Sequence, residues 1–255
     1  MNPRQKINQP AVYSRRRPEA VYNRLQREAK ARKILAVLAD FLTSPITQLR
    51  VLDVGCSSGM ITNFLAPHFQ SVAGTDIDRE ALVYAERTKA LNAVFIAADA
   101  MELPFRDESF EFVICAHVYE HVADSGRLMD EIYRVLKNDG ICFFAAGNRL
   151  RLVEPHYGLP MLSVLPRALA DRYLRLLGRG RQYQEKHLTY WGLKQLVSRF
   201  CLVDYTFKII QNPEKYAATD LCTSGSLKQR LALFLSRVAS GLVPTYIFVL
   251  KKAEP

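Results

Sequence analysis

The segment Val51-Leu52-Asp53-Val54-Gly55-Cys56-Ser57-Ser58-Gly59 constrains this chain more than any other. An apolar run ends in a glycine-flanked turn, and helix-forming residues follow at once. A second apolar run closes on Gly74-Thr75-Asp76, its acid 23 positions after Asp53 (76 against 53). Strand, tight turn, helix and acid-tipped strand in this order form the opening unit of a doubly wound α/β sheet. Such sheets place ligands beyond the carboxyl ends of their strands.

The alternation continues. Strands are expected at Val51–Val54, Ser71–Thr75, Ala93–Ala97, Phe110–Ala116 and Ile141–Ala146, the last after the turn signal Asn138-Asp139-Gly140. Helices are expected at Glu19–Leu42, Met60–Ala66, Arg79–Leu91 and Gly126–Leu136. After Gly147 the regularity lapses, with Pro155, Pro160 and Pro166 in one stretch. Helices follow at Pro166–Leu177, Thr189–Phe200 and Ser226–Ala239, and strands at Leu202–Ile210 and Thr245–Lys251. The expected fold class is therefore α/β, a mostly parallel seven-stranded sheet with helical cap insertions. Residues 1–45 read as a basic arm and helix, and 46–255 as the main domain, with insertions at about 149–188 and 212–243.

Charge is uneven along the 255 residues. Residues 1–33 hold ten basic and two acidic side chains, 34–148 eight and sixteen, and 149–255 seventeen and seven. The flanks are thus either solvated basic surface or a face for something anionic: a phosphorylated substrate, a nucleic acid or an acidic membrane. Five scattered cysteines without a CxxC pair read as free thiols, and no metal site is expected. No apolar secretory core follows the basic N-terminus, which points to a cytoplasmic protein. Leu231–Leu250 is apolar, but Arg237 and Pro244 make it a helix and a strand rather than a membrane span.

Gly55 and Gly59, with Cys56 and Ser57 between them, can bring exposed backbone N–H groups close to a ligand. Asp53 is placed to meet an ammonium group. Asp76 can accept from both hydroxyls of a ribose, and Asp99 from an exocyclic adenine amine. A nicotinamide dinucleotide fits less well, because GxGxxG lacks its second glycine here. Together VLDVGCSSG, GTDID, AADAMELPF, SFEFVICAHVYEHVAD and RVLKNDGICFFAAGN resemble the class I S-adenosylmethionine-dependent methyltransferases. Within them, the group that includes the ubiquinone/menaquinone-type enzymes is the most similar. The resemblance covers roughly Arg50–Asn148. It implies S-adenosylmethionine as cofactor and S-adenosylhomocysteine as product. It also implies Ile77 packing on adenine, Ala100 beside Asp99, and His117 near the methionine end. The family usually has glycine where this chain has Ser57, a residue that disfavours positive φ.

Methyl transfer needs a base only if the acceptor must lose a proton. His117, His121, His156 and His187 are the candidates. His121 is expected to support the loop that carries it. His156 and Tyr157, in Glu154-Pro155-His156-Tyr157-Gly158-Leu159-Pro160, are favoured on the acceptor side, His156 orienting or deprotonating the acceptor. The two insertions are expected to cap the pocket. Arginines alternating with leucines over Leu162–Leu177 suggest an interfacial helix reaching a lipid-linked, anionic acceptor at a membrane. The implied function is transfer of a methyl group to a small molecule, lipid or glycan precursor. The alternative is an RNA methyltransferase or an inactive binding module on the same fold. Against it, no aromatics interleave with Arg15–Arg17.

Overall fold

A computed structural model describes residues 13–252. The first twelve residues of the basic arm lie outside the described residues. One seven-stranded sheet carries the fold. Its strands are β1 (Arg50–Val54), β2 (Ser71–Asp76), β3 (Ala93–Ala97), β4 (Phe110–Ala116), β5 (Leu136–Gly147), β8 (Phe200–Asp204) and β9 (Thr245–Lys252). A two-stranded ribbon supplies β6 (Val153–Glu154) and β7 (Leu159–Pro160). The sheet order is β3-β2-β1-β4-β5-β9-β8. The first five strands pair in parallel, and β9 runs antiparallel to both its neighbours.

The helices are α1 (Tyr13–Arg16), α2 (Pro18–Val21), α3 (Arg24–Phe41), α4 (Met60–Leu65), α5 (Arg79–Arg87), α6 (Ser125–Val135), α7 (Arg167–Leu176), α8 (Tyr190–Leu196), α9 (Thr206–Gln211) and α10 (Leu227–Val238). Two apolar layers follow from the side-chain alternation along the central strands. Leu52, Val113, Cys115, Cys142 and Phe144 face one layer, with α6 and α8. Val51, Phe112, Ile114 and Phe143 face the other, with α3 and α4. A parallel sheet buried on both faces is the reason these strands are almost wholly apolar.

Four expectations are corrected. Glu19–Leu42 is not one helix. The chain breaks after α2, and Asn23 restarts it as N-cap, its side chain accepting from the Gln26 N–H at 3.1 Å. Leu202–Ile210 is a strand only to Asp204. The Asp204 carboxylate accepts from the Thr206 N–H at 2.8 Å and turns the chain into α9. The fifth strand starts at Leu136, not Ile141, and Asn138-Asp139-Gly140 forms a bulge inside it, where β5 passes from Leu136 to Ile141 while β4 passes only from Phe110 to Phe112. The helix expected to end at Leu91 stops at Arg87.

Asn148, just past β5, is fully buried and locks the far edge of the sheet. Its side-chain N–H groups reach the Gly241 carbonyl at 2.7 Å, the Val243 carbonyl at 2.8 Å and the Tyr246 hydroxyl at 3.1 Å. Segment 148–188 leaves the sheet here. It builds its own small apolar cluster of Leu159, Leu162, Ala170, Leu174 and Tyr183.

Candidate active site at the carboxyl edge of the sheet

β1, β2 and β3 are hydrogen-bonded neighbours, so their carboxyl ends bring the glycine turn, Asp76 and Asp99 to one edge. The turn is pinned to β2. The Gly55 and Cys56 N–H groups both donate to the Thr75 carbonyl, at 2.8 and 2.9 Å. The Ser57 N–H donates to Asp76 Oδ2 at 2.8 Å, and the Asp78 N–H to Asp76 Oδ1 at 2.8 Å. Each Asp76 oxygen therefore has one backbone donor and further acceptor capacity, enough for two vicinal hydroxyls. Burial raises the Asp76 pKa, and the two N–H donors oppose that shift. Ile77 beside it is 62% exposed, an apolar side chain with a free face. Asp99 Oδ1 accepts from the Met101 N–H at 2.9 Å, and Ala100 is half-buried next to it.

Ser57 adopts φ +53°, so it takes the left-handed conformation without glycine's freedom. Gly55 and Gly59 stand at φ +71° and +67°. A Cβ on Gly59 would lie 2.6 Å from both the Ala85 Cβ and the Phe95 ring, so packing against α5 and β3 demands that glycine. Asp53 lies beneath the turn. It is 4% exposed and accepts from the Thr62 hydroxyl at 2.6 Å, which ties β1 to α4. Burial pushes its pKa up to about 7, against the opposing effects of Thr62 and Arg27.

A second cluster surrounds the exit of β4. His117 sits at φ +61°, with Nδ1 3.3 Å from Glu120 Oε1. Burial lowers the His117 pKa against the pull of Glu120. Glu120 is 1% exposed, and its Oε2 has no partner. Burial disfavours its ionisation, but the neighbouring histidines, His117 first, hold its pKa down at about 2. The His121 ring packs between Tyr13 (centroids 5.3 Å apart) and His156 (5.2 Å). Desolvation lowers the His121 pKa, and Glu120 partly offsets this. His156 Nδ1 meets Glu154 Oε1 at 2.6 Å, and that carboxylate raises the His156 pKa over the opposing effect of burial. Tyr157 holds the Glu154 side chain through its backbone N–H (2.9 Å). His121, His156 and Tyr157 are thus brought together.

The N-terminal segment joins the two clusters. The Ser14 N–H donates to Asp78 Oδ2 at 2.8 Å, and Arg15 pairs with Glu80. Arg16 bonds Gln184, and the Arg17 guanidinium lies over the Tyr157 ring. The arginine run, which the sequence leaves as either solvated surface or an anion-facing one, thus has partners within the protein, although Arg15 stays largely exposed. Arg27 of α3 lies within electrostatic reach of Tyr13, Asp53 and Asp76, and desolvation lowers its pKa. Tyr13, Arg27, Glu120 and Glu154 were not singled out by sequence. The Glu-x-His spacing of Glu154 and His156 was the available signal.

Residues 52–144 match the methyltransferase domain family. The biotin biosynthesis bifunctional protein of Cellvibrio japonicus is 32% identical over 123 residues, 48% of this chain and 24% of that protein. The ubiquinone biosynthesis O-methyltransferase of Pseudomonas entomophila is 31% identical over 135 residues, 48% of this chain and 56% of that protein. The chain spans only 24 to 56% of the length of these two relatives. An S-adenosylmethionine-dependent methyltransferase structure from Mesorhizobium loti superposes with a TM-score of 0.59 at 16% identity, over 84% of this chain and 95% of that one. The YcgJ structure from Bacillus subtilis superposes at 0.53 and 19% identity, over 89% and 99%. Over residues 52–144 the chain carries a methyltransferase domain, and the family and fold together imply the class I type with S-adenosylmethionine as cofactor.

Two predictions follow from the turn and its base. A left-handed L-residue costs ~1–2 kcal/mol, and a glycine there gives back part of that to the unfolded chain. Ser57→Gly is expected to stabilise the protein by about 0.5–1 kcal/mol in thermal unfolding; no gain would remove the strain. The Asp53 pKa is raised in the fold, so its contribution to stability is full below pH ~4 and is lost as pH rises to about 7. In cofactor-free protein that loss amounts to up to about 4 kcal/mol. Denaturant unfolding of wild type and Asp53→Asn at pH 5 and 8 should show about 2.5 kcal/mol of it, in the wild type alone.

Proposed function

We propose that this chain transfers the methyl group of S-adenosylmethionine to a small-molecule, lipid or glycan-precursor acceptor. The observation that carries the reading is Asp76, clamped by the Ser57 and Asp78 N–H groups at the tip of β2 with acceptor capacity to spare. The residues fit the cofactor. Asp76 would take the ribose hydroxyls, Ile77 and Ala100 would pack on adenine, and Asp99 would accept its amine. The turn Gly55-Cys56-Ser57-Ser58-Gly59 and Arg27 would hold the charged tail, with Asp53 beneath the turn and His117 near the methionine end. When bound, the cofactor supplies an electrophilic sulfonium methyl. The protein's share is alignment, which can supply most of the rate. His121 takes the acceptor's proton, His156 orients the acceptor on its Glu154 anchor, and Tyr157 lines the same side. Segment 149–188 closes over that side as a cap, and 212–243 extends it. The names of the biotin and ubiquinone relatives support a small-molecule acceptor. The internal pairing of Arg15 with Glu80 and of Arg16 with Gln184 weighs against an RNA substrate.

Calorimetric titration with S-adenosylmethionine tests the site. Asp76→Ala is expected to weaken binding roughly 10- to 150-fold, the worth of hydrogen bonds to a charged acceptor. Absence of binding to the wild type would overturn the reading. His121→Ala should bind normally and lose about 10²–10⁴ in turnover on an acceptor found by labelled-methyl screening of extracts. Unchanged turnover would remove it as the base.

No helix among the described residues is long and apolar enough to cross a membrane. A peripheral contact is supported by α10, which exposes Leu227, Leu231, Phe234 and Val238 and also carries Lys228, Arg230 and Arg237. On α7 and just past it, Leu169, Leu176 and Leu177 are exposed in the same way. Basic and apolar side chains on one helix suit an anionic lipid surface. The protein is expected to float with anionic vesicles at low salt and to lose this in Leu231→Glu/Phe234→Glu. Failure of the wild type to float would discard the membrane contact.

A further inference from the structure

Glu154, His156 and His187 each offer a ligand atom, and these atoms all lie within 4.8 Å of one another. Both acid and imidazoles are held by elements outside the methyl-donor site. Glu154 ends β6, and its backbone carbonyl accepts from the Gly158 N–H at 2.8 Å. Its Oε2 is tied to the Tyr157 N–H at 2.9 Å, leaving Oε1 toward the two histidines. His187 precedes α8. Its place is set by the bridge between Asn148 and Leu188 and by the 2.8 Å bond from the Arg149 N–H to the Leu188 carbonyl.

The decisive side chain is His187. It is 0% exposed, and neither ring nitrogen has a hydrogen-bond partner. A buried imidazole with two empty nitrogens calls for an explanation. Its Nε2 stands 3.5 Å from Glu154 Oε1, too far for a good hydrogen bond. Two donor atoms on a four-coordinate zinc-sized ion, each ~2.0–2.2 Å from it, stand about 3.4 Å apart. His156 Nδ1, now 2.6 Å from the same oxygen, needs to move out by less than about 1 Å to share it.

We propose that Glu154, His156 and His187 form a binding site for a divalent transition-metal ion. Two imidazoles and one carboxylate suit zinc, iron(II) or cobalt(II), not calcium or magnesium, which take oxygen donors. Three protein ligands leave coordination positions open for water or an oxygen of a bound molecule. Glu120, 1% exposed with a free Oε2, adds negative charge nearby. Arg151 is the opposing charge. It lies against the same face of Gly147 as His187, but its Nη2 is drawn to the Pro244 carbonyl at 2.9 Å. A metal here engages Glu154 and His156, the pair that the proposed function has orienting the acceptor, and leaves His121 as the free imidazole. Metal binding itself needs neither cofactor nor methyl acceptor, so it can be read separately from methyl transfer.

The test is titration of chelator-stripped full-length protein with cobalt(II), followed by absorption, and with zinc(II) by calorimetry. One equivalent should bind, giving the intense visible bands of a low-coordinate cobalt site. His187→Ala and Glu154→Gln should weaken binding by at least about 100-fold, the upper end of what even a second-sphere loss costs. Cys201→Ser and His68→Ala should leave it unchanged. Circular dichroism accompanies each variant. If a buried substitution unfolds the protein, His156→Ala, at a ring 14% exposed, carries the comparison with the wild-type spectrum. Absence of saturable binding, or binding that survives all three substitutions, overturns the proposal. Titration of the stripped protein with S-adenosylmethionine reports separately on the methyl-donor site.

Discussion

The clamp on Asp76 is the interaction on which the rest of the site depends. One carboxylate at the tip of β2 takes backbone N–H groups from the β1–α4 turn and from the start of α5. Without it, the turn is attached to β2 only through the Thr75 carbonyl, and Ser57 has less reason to hold its left-handed conformation. Burial alone would favour a neutral Asp76. The two N–H donors favour the charged form that can accept from hydroxyls. The strain at Ser57 is the cost of that arrangement, and strain at a ligand-facing turn persists only where its surroundings over-determine it.

The parallel half of the fold was legible because its signals are local. Each strand from β1 to β4 is an apolar run closed by a turn residue, and Ala93–Ala97 and Phe110–Ala116 were bounded correctly from sequence. The failures have a common cause. At Thr206 and at Asn23 a single side chain capping a backbone N–H redirects the chain, while hydrophobicity continues across the break. Within β5, Asn138-Asp139-Gly140 carries turn chemistry and bulges out of the ladder, while pairing with β4 at Leu136 and again from Ile141 keeps both flanks in one strand. Periodicity registers neither effect.

The site divides in the same way. Asp76, Asp99 and the glycine turn follow their strands closely in sequence, so spacing alone could place them. Asp53 has a second, structural tie that its spacing does not show. Its position before the turn suggests a ligand contact, and its buried bond to Thr62 also makes it a tie between β1 and α4. The second cluster is assembled from residues 13, 117–121, 154–157 and 187, which no spacing rule connects. Its histidines were visible as candidates, but the acids that anchor them were not, because a buried glutamate looks like any other until its partners are known.

Those acids also explain why the second half of the molecule can be built around polar groups at all. A buried carboxylate is tolerated only when paired. Glu120 holds His117, and Glu154 holds His156 while facing His187, so each acid converts a desolvation penalty into a fixed imidazole orientation. Tyr13 packs on His121 and is within electrostatic reach of Arg27, which is in turn within reach of Asp53 and Asp76. The methyl-donor edge and the histidine cluster are therefore one electrostatic unit, bridged by an N-terminal segment whose arginines are spent on Glu80, Gln184 and the Tyr157 ring. Positive charge that looks from sequence like a surface for an anion is, in this segment, the fastening between two halves of a site.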